Sequence, residues 1–298
     1  MPEYKQGIHS WETGQDEMSD VELSNWLELL EQRTGISLPS ERQSFLLNSL
    51  DQRIREIGLA NYQSYYQYLN NGVQGELEWE LLVDRLTVHE TRFMRDEHAL
   101  ALITQHCLPQ FQPADNNTFN VWSVGCATGE EPYSFAMSID NYFRQSGRFF
   151  DYNILATDIS LASLITAQWG IYMHNRGKNM PEEFRQRYVK PHDNSHFKVN
   201  KVIRDKVKFS QFNLLALETA ELPLMDVMVC QNVLIYFKQQ RRRQLLDHMV
   251  RFLKPGGMLI LGAGEVINWK NATVKSFDFP STLAFQRKQE HELKQGNA

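Results

Sequence analysis

The chain has no apolar run long enough to cross a membrane, and its opening residues, MPEYKQGIHSWETGQDE, contain no secretory hydrophobic core. A soluble, cytoplasmic protein without membrane insertion is expected. Cysteine is scarce: Cys107, Cys126 and Cys230 are odd in number, far apart and set in apolar surroundings. That excludes a disulfide framework and zinc spacing, and it leaves buried free thiols and no metal site. Positive charge is not in excess, since 31 Lys and Arg stand against 36 Asp and Glu for a net charge of −5. A broad nucleic-acid surface is therefore not expected, and no basic aromatic platform for RNA is found. There is also no Gly-Lys-Ser/Thr triplet and no complete G-x-G-x-x-G, so a polyphosphate nucleotide fits poorly. Internal repeats and low-complexity tracts are absent as well.

What is present centres on residues 121–134, VWSVGCATGEEPYS. A short apolar segment follows the polar run 113–117 and reads as a buried strand. Gly125 and Gly129 then allow a tight turn and a close approach of backbone to ligand. Pro132 suits the first turn of a helix over residues 133–144. Strand, glycine loop and helix make the general shape of a nucleotide-type cofactor site. Glu130 and Glu131 replace the bare amides or lysine of a phosphate loop. Two carboxylates repel phosphate but suit a cofactor with a positive centre, such as the sulfonium and ammonium of S-adenosylmethionine. Alternatively, both glutamates only complement a helix N-terminus.

Along the chain, residues 1–18 read as a loose tail. Ser19 and Glu22 form a capping box for a helix whose face carries Leu23, Trp26, Leu27 and Leu30, with Gly35 as its stop. A second helix is expected over residues 40–57, with Phe45, Leu46, Leu50 and Ile54 inward, Gly58 as cap, and Arg42, Arg53 and Arg55 on its outer face. Two more helices complete a helical unit over residues 19–85. The polar linker 86–95, containing T-V-H-E-T-R-F-M-R, is placed where a cleft opens between domains. Residues 153–158 read as a second strand ending on Asp158, which either accepts from ribose hydroxyls or caps the next helix. Residues 170–206 break the alternation and look inserted. Further strands are expected at 207–213, 225–230 and 258–262, with a helix over 239–252 stopped by L-K-P-G-G. Residues 273–279 and 282–287 read as an antiparallel pair, and 289–298 as a disordered tail.

Five blocks in order, T-V-H-E-T-R-F-M-R, V-W-S-V-G-C-A-T-G-E-E-P-Y-S, A-T-D-I, C-Q-N-V-L-I-Y-F and L-K-P-G-G, resemble the CheR family of chemotaxis-receptor glutamate methyltransferases. The resemblance covers residues 19–287. It implies an α/β, Rossmann-like S-adenosylmethionine-dependent methyltransferase sheet, mostly parallel with an antiparallel last strand. A small all-helical domain precedes that sheet (domain 96–288), and a subdomain is inserted at about 170–206. Motif by motif, it places cofactor contacts on His89, Thr91, Arg95, Gly125, Glu131, Asp158, Asn213, Leu214, Asn232 and Val233. Arg95 and Tyr236 fall nearest the methyl-transfer centre. Departures are His89 for the usual Asn, Gln231 for the usual Arg and Met94 for the usual Phe. The implied reaction converts receptor glutamates to methyl esters and leaves S-adenosylhomocysteine. The implied partner is the cytoplasmic helical region of a methyl-accepting receptor, towards which Arg42, Arg53 and Arg55 would face. Family members that tether to a receptor's C-terminal peptide carry a glycine-rich loop in the inserted subdomain. Residues 189–206 contain no glycine, so no tether is expected. A methyltransferase for another protein, a small molecule or RNA, and a non-catalytic S-adenosylmethionine-binding adaptor, remain the other readings.

Overall fold

The computed structural model describes residues 18–112, 118–266 and 268–295. Most of the expected opening tail, the polar run 113–117 and the last three residues lie outside these. Helix α1 (Asp20–Thr34) starts at the Ser19–Glu22 capping box and ends at Gly35, with Trp26, Leu29 and Leu30 buried. A 3-10 turn at Ser40–Arg42 leads into α2 (Gln43–Ile57), which stops at Gly58. Helices α3 (Tyr62–Leu69) and α4 (Gly72–Leu86) follow. The four pack around Trp26, Leu46, Leu50, Ile54, Tyr65, Leu69, Trp79 and Leu82.

Two residues on α2 sit opposite to expectation. Phe45 is 38% exposed, one position off the stripe formed by Leu46, Leu50 and Ile54. Arg53 turns inward: its Nε donates to Glu78 Oε1 at 2.7 Å, and Tyr65 donates its hydroxyl to the same oxygen at 2.7 Å. Glu78 on α4 is buried and needs that cation. Arg53 is therefore a core partner rather than a receptor-facing charge. Removing it strands a buried carboxylate, so Arg53→Ala is expected to cost about 3–5 kcal/mol in urea unfolding. Arg55→Ala, at an exposed position, should stay within about 0.5 kcal/mol.

After the linker, Asp96 caps α5 (Glu97–Leu102), which continues through a π-helical turn (Ile103–Cys107) into α6 (Leu108–Gln110). The alternating part runs β1 (Phe119–Val124), α7 (Glu130–Ser146), β2 (Tyr152–Asp158) and α8 (Leu161–Trp169). Next come β3 (Ile171–Met173), α9 (Glu182–Tyr188), β4 (Val189–Pro191), β5 (His196–Val199) and α10 (Lys201–Arg204). The chain closes with β6 (Val207–Gln211), β7 (Met225–Cys230), α11 (Gln239–Met249), β8 (Leu253–Leu261), β9 (Val274–Phe279), β10 (Thr282–Arg287) and α12 (Glu290–Gln295). A seven-stranded sheet has the order β6-β2-β1-β7-β8-β10-β9, and β3-β5-β4 form a separate sheet. Strands β6, β2, β1, β7 and β8 are mutually parallel, whereas β10 runs antiparallel to both β8 and β9. Strand β1 lies inside the sheet between β2 and β7 and is buried almost throughout, as a strand covered on both faces is.

The helix expected over 239–252 does end at Phe252, as α11 followed by a 3-10 turn at Val250–Phe252, but no loop separates it from the next strand. Leu253 already begins β8, and the L-K-P-G-G run is absorbed as an irregularity where the β7–β8 register shifts between Met225 and Val227. The expected disordered tail is also corrected, because residues 290–295 form α12, tied to β9 by an ion pair between Lys275 and Glu292.

Strand order reverses between β1 and β7, the crevice where open α/β sheets bind ligands at strand carboxyl ends. The helical unit closes over this end. Ser37 N donates to Tyr236 O at 2.8 Å, Asn213 Nδ2 donates to Arg33 O at 2.7 Å, and Ile36 bridges Phe237. Among the described residues no helix is long and apolar enough to cross a membrane.

Candidate active site

The turn after β1 is fixed by neighbouring backbone. Gly125 N and Cys126 N both donate to Thr157 O, at 2.8 and 2.9 Å. Ala127 N donates to Asp158 Oδ2 at 2.8 Å, and Ser160 N to Asp158 Oδ1 at 2.9 Å. Asp158 thus braces the glycine loop and the start of α8 together. Burial holds its carboxyl above the usual range. Gly125 has φ 69°, and a Cβ there would stand 2.3 Å from Val233 Cγ2. The backbone is left bare where the loop faces a cleft between the helical unit and the strand ends.

That cleft brings together His89, Gly125, Asp158, Asn213, Leu214, Asn232, Val233 and Tyr236. Its apolar walls include Ile36, Val88 and Phe212. Thr91, Arg95 and Glu131 do not line it. Glu131 lies beside it, accepting from Ser123 Oγ at 2.6 Å. Burial pushes its carboxyl up to about 7, with Ser123 and Arg95 opposing the rise and Asp96 and Glu265 adding to it. Arg95 is exposed, its Nη1 donating to Glu90 O at 2.8 Å. Thr91 is buried, its carbonyl accepting from Arg176 Nη1 at 2.6 Å.

Several side chains reach the site with their polar atoms already engaged. His89 Nε2 lies 2.9 Å from Asp84 O and 3.0 Å from Thr87 Oγ1, and its Nδ1 lies 3.0 Å from Ser163 Oγ. What it offers the cleft is ring carbon. The Asn213 amide accepts from Leu215 N at 3.0 Å while donating to Arg33, so it fixes the turn that presents Leu214. Tyr236 carries the Arg42 guanidinium 5.7 Å from its ring centre, which places Arg42 at the mouth of the site. Gln231, where the family's usual residue is Arg, donates from Nε2 to Asp96 Oδ2 at 2.6 Å.

The two adjacent glutamates have separated roles. Glu130 is fully buried and faces away from Glu131: Thr128 Oγ1 donates to its Oε2 at 2.6 Å, and Arg176 Nη1 stands 3.6 Å from Oε1. Arg176, between β3 and α9, thereby joins the small sheet to both the glycine loop and the linker. Ser134 is a second residue the sequence reading did not single out. Its Oγ accepts from Met94 N at 2.9 Å and fixes the left-handed turn (φ 55°) that presents Arg95. Ser134 lies inside the E-E-P-Y-S block, so its presence there was the available signal. Arg176 had none.

Both the loop and the acids fit S-adenosylmethionine: a bare backbone at Gly125, a braced acid at the end of β2, and the half-buried Glu131 carboxylate beside the cleft. Fold and cleft together define a S-adenosylmethionine-dependent methyltransferase. The family model described as CheR methyltransferase, SAM binding domain, matches residues 89–282, and that described as CheR methyltransferase, all-alpha domain, matches residues 22–87. The chain belongs to the CheR methyltransferase family. It is similar to a chemotaxis protein methyltransferase of Escherichia coli, 32% identical over 253 residues, covering 83% of this chain and 85% of that one. A chemotaxis protein methyltransferase of Borreliella burgdorferi is 28% identical over 250 residues, covering 83% and 88%. Chemotaxis protein methyltransferase 1 of Pseudomonas aeruginosa is 33% identical over 243 residues, covering 80% and 88%.

Proposed function

We propose that the protein methylates glutamate side chains on the cytoplasmic helical region of methyl-accepting chemotaxis receptors, acting in the cytoplasm. The observation that carries this reading is an exposed arginine, Arg95, on a turn that Ser134 fixes through Met94 N, near enough to the half-buried Glu131 for its charge to act on that carboxyl. Bound S-adenosylmethionine supplies an electrophilic methyl on a sulfonium, and is released as the thioether S-adenosylhomocysteine when a carboxylate oxygen takes that methyl. A glutamate with a pKa of about 4.3 is already ionised at neutral pH, so the protein needs no general base. Its task is alignment, which can supply roughly 7–11 kcal/mol.

In this reading Glu131 receives the cofactor's ammonium and Asp158, with lone pairs left beyond its two amides, receives the ribose hydroxyls. Asn232, Val233, Leu214 and the ring of His89 enclose the base. Thr91 fixes the linker, and Arg95 orients the acceptor carboxylate opposite Tyr236. Of the three arginines expected to meet the receptor, Arg42 and Arg55 remain available and Arg53 does not. Incubation with labelled S-adenosylmethionine and membranes holding chemoreceptors tests the reading. Base-labile label on receptor is expected; label only on other molecules, or binding without transfer, overturns it. Arg95→Ala should lower turnover about 100-fold or more, with cofactor affinity changed only a few-fold. A parallel loss of affinity would instead assign Arg95 to the cofactor's own carboxylate.

No peptide tether is part of this proposal. Edge strand β4 ends on Pro191, which has no N–H to donate to an added strand. The turn to β5 is closed by Asp193, which accepts from Ser195 N and His196 N at 2.7 and 2.8 Å. Titration with a receptor tail peptide should give no saturation in the low-micromolar range.

A further inference from the structure

We propose that Glu265 is a positioning residue: it builds the loop from Asn232 to Tyr236 and, through that loop, the wall where cofactor and acceptor meet. The inference rests on reading the cleft as the S-adenosylmethionine site. Glu265 lies in the turn after β8 and is 1% exposed; the Arg242 guanidinium acts on its charge, but among the described residues it forms no ion pair within 4 Å. Its contacts are backbone donors. Oε1 accepts from Val233 N at 2.7 Å and Leu234 N at 3.0 Å, and Oε2 accepts from Gly262 N at 2.7 Å. One side chain therefore satisfies amides leaving the carboxyl ends of two adjacent strands, β7 and β8.

Those amides lie at the working part of the loop. Asn232 has the left-handed φ of 61°, which a branched or bulky residue would adopt only under strain. Val233 packs on the bare backbone of Gly125, and Leu234 opens the 3-10 turn that ends with Tyr236. Gly262 belongs to the same arrangement, because a Cβ there would stand 2.8 Å from Glu265 Oε2. Burying a carboxylate is costly, and a bracket needed only for packing could be apolar. A carboxylate instead supplies three directed, charge-assisted bonds to amides that no strand ladder takes. Its charge also faces Glu131 and raises that group's pKa, together with Asp96 and against Arg95, while Ser123 donates to it. Burial pushes the Cys230 thiol well up, and the charges of Glu265 and Glu131 add to that rise.

Glu265→Gln keeps the length of the side chain and can still accept from Val233 and Leu234, but turns an NH₂ towards the Gly262 amide. Calorimetry should show S-adenosylmethionine bound at least tenfold more weakly, with turnover lowered at saturating cofactor and the receptor KM within about twofold. The midpoint of the pH dependence of cofactor affinity should move to lower pH, because a negative charge facing Glu131 is gone. Glu265→Asp keeps that charge and should restore the midpoint without restoring full affinity. Loss of thermal stability with affinity, turnover and midpoint unchanged would reduce Glu265 to a structural bracket and overturn the proposal. If the variants do not fold, hydrogen exchange on the wild-type protein decides. Protected amides at Val233, Leu234 and Gly262 are expected, and free exchange at all three overturns it. Wild-type calorimetry without cofactor binding would refute the reading of the cleft, an outcome distinct from any of these.

Discussion

Gly125→Ala is expected to weaken binding of S-adenosylmethionine about 100-fold while the protein still folds. Two costs add. The backbone at position 125 sits at φ 69°, where an L side chain costs roughly 1–2 kcal/mol. The new methyl would also lie 2.3 Å from Val233 Cγ2, far inside van der Waals contact. Valine is stiff at χ1 and its backbone N–H is held by Glu265, so relief requires the whole 232–234 loop to retreat. Relieving them moves the free protein away from the shape that binds, and forcing it back costs about 3 kcal/mol, or roughly 100-fold in affinity. The double variant Gly125→Ala/Val233→Ala removes the clash and keeps the backbone strain, so it should regain about tenfold. Calorimetry on both, with circular dichroism as a check on folding, measures this. Tight binding by the single variant would show that this loop is not the cradle.

Loss of the carboxylate at position 131 is expected to weaken the cofactor by about 100-fold, and in the wild-type protein affinity should fall by about fivefold between pH 8 and pH 6. With its carboxyl pushed up to about 7, Glu131 is largely neutral at pH 6 and must release a proton to receive an ammonium. The ligand's own amino group loses its charge above about 8, so affinity should peak between about 7 and 8. Glu131→Gln should be weak at every pH and nearly flat. The unliganded fold carries the opposite dependence. A carboxyl whose folded pKa lies above its unfolded value stabilises fully below the unfolded value, and that contribution is lost as pH rises through the folded one. For Glu131 the window runs from about 4.5 to about 7, and burial raises Glu130, Asp158, Asp226 and Glu265 in the same direction. The free protein should therefore melt at a higher temperature at pH 5.5 than at pH 7.5. Saturating cofactor should narrow that gap, and a gap unchanged by ligand would detach Glu131 from the site.

Much of the architecture could be read from local pattern. The strand–glycine loop–helix at residues 121–134, the acid at the end of β2 and the capping box at Ser19 each carry their own chemistry within a few residues. The antiparallel pair near the end was legible for the same reason. What escaped depends on partners distant in the chain. Arg53 looks like one more solvated charge until Glu78, 25 residues on, is found buried beneath it. His89 and Asn213 present polar atoms on paper, and the structure spends them on Asp84, Ser163 and Arg33. L-K-P-G-G reads as punctuation alone, but Leu253 at its start pairs with Met225 of β7, so the run enters the sheet as an irregularity. Glu265 follows an apolar strand between glycines much as Asp158 ends one, and the same attention to an acid at a strand's carboxyl end would have marked it.

Thr34 and Ile36, at the close of the first helix, wall the cleft as directly as Asn232 and Val233 do, and Ser37 and Arg33 are stitched to the loops around it. Cutting the chain at the linker would not yield a smaller working enzyme and a spare recognition module; it would leave two halves with raw apolar faces. The helical unit and the strand ends around the cleft are thus inherited as one piece, and a change in the helices is also a change in the wall of the cleft.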